Sequence, residues 1–244
     1  MTDIQQARSI AVPRPVPIVL SVVAGYVDSC TYLGLFGVFV AQATGSFVLA
    51  GTEFARSEPG ALAKMLAIPS FFLAGMAVTA LVHPWRERPR VALTWSLAVE
   101  CLLLAGFLAA CVAGTPFRAL DAPAAIVALL FAMAAMGAQS ALVRLLMRGV
   151  ASTNVMTTNT TLLAISAAEL LLGWRERAKA GPSPASTTAY AQARHDFAAL
   201  LPLGLGFFGG TALGAVGYMS MGLPCCFLAI LPVGSLALWS LRRA

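Results

Sequence analysis

The chain has 244 residues, of which 59% are hydrophobic and 11% charged, with a mean hydropathy of +0.83 and a net charge of +6. Soluble domains carry about a quarter charged residues, so this composition excludes a soluble globular enzyme or a nucleic-acid-binding module. It describes an integral membrane protein whose first partner is the lipid bilayer.

Residues 1–15 are polar, with Pro13 and Pro15 leading into the first apolar stretch. That stretch has no small-residue cleavage site and reads as a retained helix. Six stretches, about 17–37, 62–83, 93–113, 122–146, 199–219 and 223–241, are long enough to span, since a crossing needs about 20 residues. Two more, about 40–55 and 153–173, are interrupted by polar clusters. The first span carries Asp28, loosens at Gly34 and Gly37, and leads to Gln42, Thr44, Gly45 and Ser46. Glu53, Arg56, Glu58 and Pro59-Gly60 mark a short outer loop. The third span holds Glu100 near its centre. The run from Arg175 to Phe197, rich in Ala, Pro and Ser, reads as a solvated linker or a patch on anionic headgroups.

The pattern of the first polar cluster returns in the second half. Laying Gly25 on Gly137 puts Gly37 on Gly149, Asp28 on Ser140 and Gln42 on Asn154. One inserted residue then puts Thr44, Gly45 and Ser46 on Thr157, Thr158 and Asn159. The expected fold is therefore all-α, with about six transmembrane helices as two inverted three-helix repeats, each containing a broken or re-entrant segment. A single membrane domain covers 1–244, with repeat one at about 16–113 and repeat two at about 122–241.

Charge placement supports re-entrance. If both polar segments return to the side they came from, the ends facing the cytoplasm hold Arg8, Arg14, Arg86, Arg88, Arg90, Arg144, Arg148, Arg175, Arg177, Lys179, Arg194, Arg242 and Arg243. Only Arg56, Lys64 and Arg118 fall outside, a split of 13 to 3 among 16 basic residues. The positive-inside rule then puts both termini in the cytoplasm, and Trp85, Trp95, Trp174 and Trp239 near the cytoplasmic interface. Arg144 and Arg148 read as anchors at the end of the fourth span. Gly206, Gly210 and Gly214 share a helix face and predict a close helix contact.

The five cysteines, Cys30, Cys101, Cys111, Cys225 and Cys226, fall in apolar stretches without CxxC or Cys/His ligand spacing, which reads as packing with no metal or cofactor. His83 and His195 form no dyad, and no nucleophile–base pair suggests an enzyme.

The segments GYVDSCTYLGLFGVFVAQATGS (25–46) and STNVMTTNTTLL (152–163) resemble the paired signatures of the bacterial YoaK family, multi-span inner-membrane proteins of uncharacterised function. Gly25, Asp28, Thr44 and Gly45 match the first signature, and Gly137, Gln139, Met156, Thr157 and Asn159 match the second. Ala43, Ser46, Ser140 and Thr158 depart from it. The resemblance implies a multi-pass protein of the bacterial inner membrane and no substrate.

The functional expectation is a small secondary transporter, working as a homodimer on a small, anionic or other, solute or ion. Substrate would lie between the polar clusters, against Asp28, Gln42, Thr44, Gly45, Ser46, Gln139, Ser140, Asn154, Thr157, Thr158 and Asn159. Asp28 and Glu100 would carry the coupling proton. The competing reading is a channel-like or structural protein, in which Asp28 bonds Thr31 and the hydroxyls and amides only join helices.

Overall fold

A computed structural model describes residues 12–147, 149–180 and 184–243. Arg8 and Arg148, which enter the charge count, lie outside them. Among the described residues the chain is helical throughout, with no strand. The α-helices are α1 (Pro15–Gly34), α2 (Ala43–Ala55), α3 (Ala61–Val82), α4 (Pro89–Gly114), α5 (Pro123–Leu146), α6 (Met156–Ala180), α7 (Pro184–Met221) and α8 (Phe227–Leu241). Proline opens α1, α4 and α5, where the missing N–H would have no helical partner. Six helices, α1, α3, α4, α5, α7 and α8, are long and apolar enough to cross a membrane.

The other two helices start in mid-bundle. After α1 ends, Phe36 and Gly37 take positive φ values of 56° and 78°, which turns the chain back on itself. The Val40 and Ala41 amides then bond Asp28 on α1, six residues or about 9 Å before that helix ends. From that depth α2 runs back to the end of the bundle it came from, where Lys64 at the start of α3 bonds the Phe36 carbonyl at 3.0 Å. The second segment does the same from the opposite end. Gly149 turns at φ +73°, the chain climbs until Asn154 Nδ2 bonds the Met136 carbonyl of α5 at 3.2 Å, and α6 descends from there. Both segments are re-entrant hairpins.

The expected linker over 175–197 is corrected. Helix α6 continues to Ala180 and α7 begins at Pro184, because Ala, Glu, Arg and Gln favour a helix wherever Pro and Gly do not interrupt them. The two helices pair as an antiparallel extension, with the Arg177 guanidinium 4.7 Å from the Tyr190 ring centroid.

The halves are related in detail. Gly25 on α1 abuts the Phe207 carbonyl of α7, and Gly137 on α5 abuts the Phe71 carbonyl of α3. A Cβ on Gly206 would lie 3.2 Å from the Ile18 carbonyl. At the corresponding point of the other half, Ser70 Oγ bonds the Leu130 carbonyl at 3.2 Å. Each half also joins its last two spans through a short 3-10 turn, His83–Trp85 and Leu223–Cys226. The first spanning helix of each half thus packs on the second spanning helix of the other.

Gly210 and Gly214 continue this contact, against the Val22 and Tyr26 carbonyls, where no Cβ would fit. Steps of four residues on both helices make α1 and α7 parallel and bring their backbones together. The core between the helices is apolar, with Leu20, Leu97, Leu104, Phe107, Met133 and Met136 fully buried.

Candidate functional site

The interior holds two polar clusters, one per re-entrant hairpin. In the first, Asp28 Oδ1 accepts from the Val40 and Ala41 amides, each at 2.7 Å. The Phe39 amide donates to Ser46 Oγ at 3.1 Å, and the Ser46 hydroxyl donates to the Phe39 carbonyl at 2.5 Å. Asp28 and Ser46 are both buried. Thr31 bonds the Val27 and Asp28 backbone carbonyls, not the Asp28 carboxyl. The carboxyl therefore ties the hairpin to its own helix.

In the second cluster, Gln139 Nε2 donates to Thr153 Oγ1 and Asn154 Oδ1 at 2.9 Å each, and to the Leu20 carbonyl of α1 at 3.0 Å. Ser152 Oγ accepts from the Asn154 and Val155 amides at 3.3 and 3.2 Å. Asn159 Nδ2 donates to the Ser152 carbonyl at 2.6 Å. Ser21 of α1 closes the cluster, its hydroxyl 2.8 Å from the Leu203 carbonyl and 3.5 Å from the Thr153 carbonyl.

The bonds Ser46–Phe39 and Asn159–Ser152 are equivalent. This places the inserted residue between Gly149 and Ser152, earlier than the sequence alignment had it, so Gln42 corresponds to Val155 rather than Asn154. The clusters touch α1 at Leu20–Ser21 and at Asp28, about 11 Å apart along the axis.

The structure sorts the remaining expected residues. Gln42 and Gly45 are half-buried, and Gln42 makes no capping bond from its side chain. Thr44, Thr157 and Thr158 are exposed on α2 and α6 and join neither cluster. The hairpin helices begin at Ala43 and Met156, two residues earlier than caps at Thr44 and Thr157 would require. Ser140, which corresponds to Asp28, makes no equivalent grip. It lines a lateral cavity of about 1190 Å³ between α3 and α5, with Phe71, Met76 and Arg144. Glu100 is fully buried on α4 and bonds neither cluster among the described residues.

Several features escape a sequence reading. Ser21, Ser152 and Thr153 complete the second cluster, yet hydroxyls are common in apolar helices and carry little signal. Glu53, read as a loop charge, and Lys64, counted on the outer side, form an ion pair in which Lys64 is only 2% exposed. Cys30, Cys225 and Cys226 come together from opposite ends of the chain, their ligand atoms all within 4.8 Å of one another.

The electrostatic character of the interior follows from what is left unpaired. Within the spanning helices Asp28 Oδ2, Gln139 Oε1 and both oxygens of Glu100 are buried and without hydrogen-bond partners among the described residues. Gln139 Oε1 accepts, as do the carboxyl oxygens when ionised, and each costs about 1–3 kcal/mol if it stays unpaired. Meanwhile the amides of Val40, Ala41, Asn154 and Val155, just ahead of the hairpin helices, are bonded to the chain's own oxygens. The interior can receive a donor or a cation more readily than an anion.

No curated protein and no solved structure matches the chain. Residues 16–239 match the family described as protein of unknown function DUF1275. The match runs from the second residue of α1 to the last turn of α8, taking in both repeats and both hairpins, and the chain accordingly belongs to the DUF1275 family.

Proposed function

We propose that this protein is a small secondary carrier, in which two inverted repeats rock about their crossed helices and Asp28 and Glu100 take up the coupling proton or cation. The observation that carries the reading is that, among the described residues, Asp28 Oδ2 and both oxygens of Glu100, carboxyl oxygens buried within spanning helices, have no donor. Ionisable groups inside spanning helices are costly, and they persist where an ion or proton pathway uses them. Inverted repeats with interrupted helices at mid-depth are the architecture of alternating access. The buried oxygens without donors favour a cation or a neutral solute bearing N–H or O–H donors over an anion. The finer likeness to the YoaK signatures supports a place in the bacterial inner membrane, and the limited space within six spans supports a homodimer.

The second reading, a structural protein, draws on the internal bonding of both clusters, which hold the hairpins without any guest. The two readings separate in reconstituted vesicles. A thermal-shift screen of metabolites first identifies solutes that raise the melting temperature. Uptake of those solutes is then followed with and without a pH gradient. A carrier saturates and responds to the gradient, and Asp28→Asn or Glu100→Gln abolishes the response while the protein stays folded. If no solute raises the melting temperature and none enters vesicles faster than through lipid alone, the structural reading replaces the carrier.

A further inference from the structure

Cys30 lies on α1, while Cys225 and Cys226 lie in the 3-10 turn that opens α8. All three are buried, at 0%, 0% and 2% exposure. Their sulfurs lie within 4.8 Å of one another, and Cys30 Sγ is 3.5 Å from Cys225 Sγ. The turn is fixed on both sides of this contact: Tyr26 of α1 donates from its hydroxyl to the Cys225 carbonyl at 3.0 Å, and Leu223 packs over Gly34. The thiols therefore converge from two elements whose relative position other contacts already set.

We infer that Cys30, Cys225 and Cys226 form a binding site for a soft monovalent metal ion, copper(I) by preference. An ion equidistant from three sulfurs no more than 4.8 Å apart lies within about 2.8 Å of each, against about 2.3 Å for a zinc–thiolate bond, so sub-ångström adjustment closes the site. Thiolate sulfur selects copper(I), zinc and iron–sulfur clusters among the common metals. Structural zinc takes four ligands, and no fourth Cys, His, Asp or Glu joins the group among the described residues. Copper(I) is satisfied by three sulfurs in a plane. The balance is simple: one Cu⁺ enters, the three thiols release their protons to solvent, and three thiolates surround the metal. The site gains a net charge of −2 in an apolar surround, a burial cost that the copper–sulfur bonds must offset, and affinity falls as pH is lowered. No redox step is involved. Cys111 and Cys101 lie outside the group and serve as internal controls.

The test uses the purified full-length protein in detergent, kept reduced with a phosphine, and titrated with copper(I) against a chromophoric copper(I) chelator. One equivalent should bind per chain. Affinity should fall at least 100-fold in Cys30→Ala and Cys225→Ala, and stay within about twofold in Cys101→Ala and Cys111→Ala. X-ray absorption of the wild-type complex should give three sulfur neighbours, a readout that stands even if an alanine variant fails to fold. Binding that survives in a Cys30→Ala/Cys225→Ala double variant overturns the inference. So does a copper shell of fewer than three sulfurs, a wild-type preference for zinc over copper(I), or a Cys30–Cys225 disulfide whose reduction restores no metal binding.

Discussion

One oxygen of Asp28 accepts from the Val40 and Ala41 amides, and the other has no partner. The two roles come apart under substitution. Asp28→Asn keeps an oxygen for both amides and should cost about 1 kcal/mol of stability, whereas Asp28→Ala strands both amides and should cost about 3 kcal/mol. Melting temperatures in detergent check the ranking, and an alanine variant as stable as the asparagine variant would show that the hairpin is held elsewhere. Lys64 behaves similarly. Its ammonium bonds Glu53 and the Phe36 carbonyl in a nearly dry setting, so Lys64→Ala, which leaves Glu53 unpaired, should cost about 3–5 kcal/mol. Lys64→Met combined with Glu53→Leu should recover most of that loss, since replacing both partners with apolar groups leaves no stranded charge. At this scale Asp28, Gln139, Asn154 and Asn159 were legible because an amide or carboxyl inside an apolar run needs a reason. Lys64 and Glu53 were not, because nothing in sequence separates a charge at a spanning-helix end that reaches water from one that is roofed over by a returning hairpin.

The elements show where the repeat resides. Few residues are identical between the halves, yet Gly37 and Gly149 both turn at positive φ, α2 and α6 start 113 residues apart, and Gly25 and Gly137 each meet a phenylalanine carbonyl on the crossing helix. The repeat is preserved in backbone events, which is why the order of features in sequence revealed it when residue identity did not. The crossing is also where side-chain volume is least tolerated. Gly25→Ala, Gly137→Ala and Gly210→Ala each place a methyl group against a carbonyl oxygen and should cost about 1–3 kcal/mol. Gly204 and Gly209 sit on the same α7 with open space around them. Gly204→Ala and Gly209→Ala should therefore be neutral, or stabilise the helix by up to about 1 kcal/mol. Melting curves of the five variants test the idea together, and a uniform response across them would mean that the crossings are looser than described. The linker expected at 175–197 failed for an opposite reason: alanine, serine and scattered charge describe a loop and an exposed helix equally well, and only the antiparallel partner decides.

For the molecule as a whole, the ends of the bundle differ in charge, and the hairpins account for the difference. One end gathers Arg14, Arg90 and Arg243, with Arg90 Nη1 donating to the Arg243 carbonyl at 3.2 Å. The α6–α7 extension with Arg175, Arg177 and Lys179 projects from the same end, because Gly149, Arg14 and Pro202 share one cavity wall there. The other end holds Lys64 and the loop of Arg118, joined where the Gly60 amide bonds Asp121 Oδ2 at 3.0 Å. If the positive-inside rule sets orientation, the first end faces the cytoplasm. Re-entrance then makes a prediction about three exposed positions, Ser57, Glu87 and Ala191. Replaced one at a time by cysteine, Ser57→Cys should react with a membrane-impermeant maleimide in intact cells. Glu87→Cys and Ala191→Cys should react only after the membrane is opened. The last pair is decisive: two hairpins that return leave Glu87 and Ala191 on one side, whereas two segments that cross would put them on opposite sides. The polar clusters determine which, because a chain whose Val40 and Ala41 amides are pinned to Asp28, or whose Thr153 and Asn154 side chains are pinned to Gln139, inside the bundle cannot also continue to the far surface.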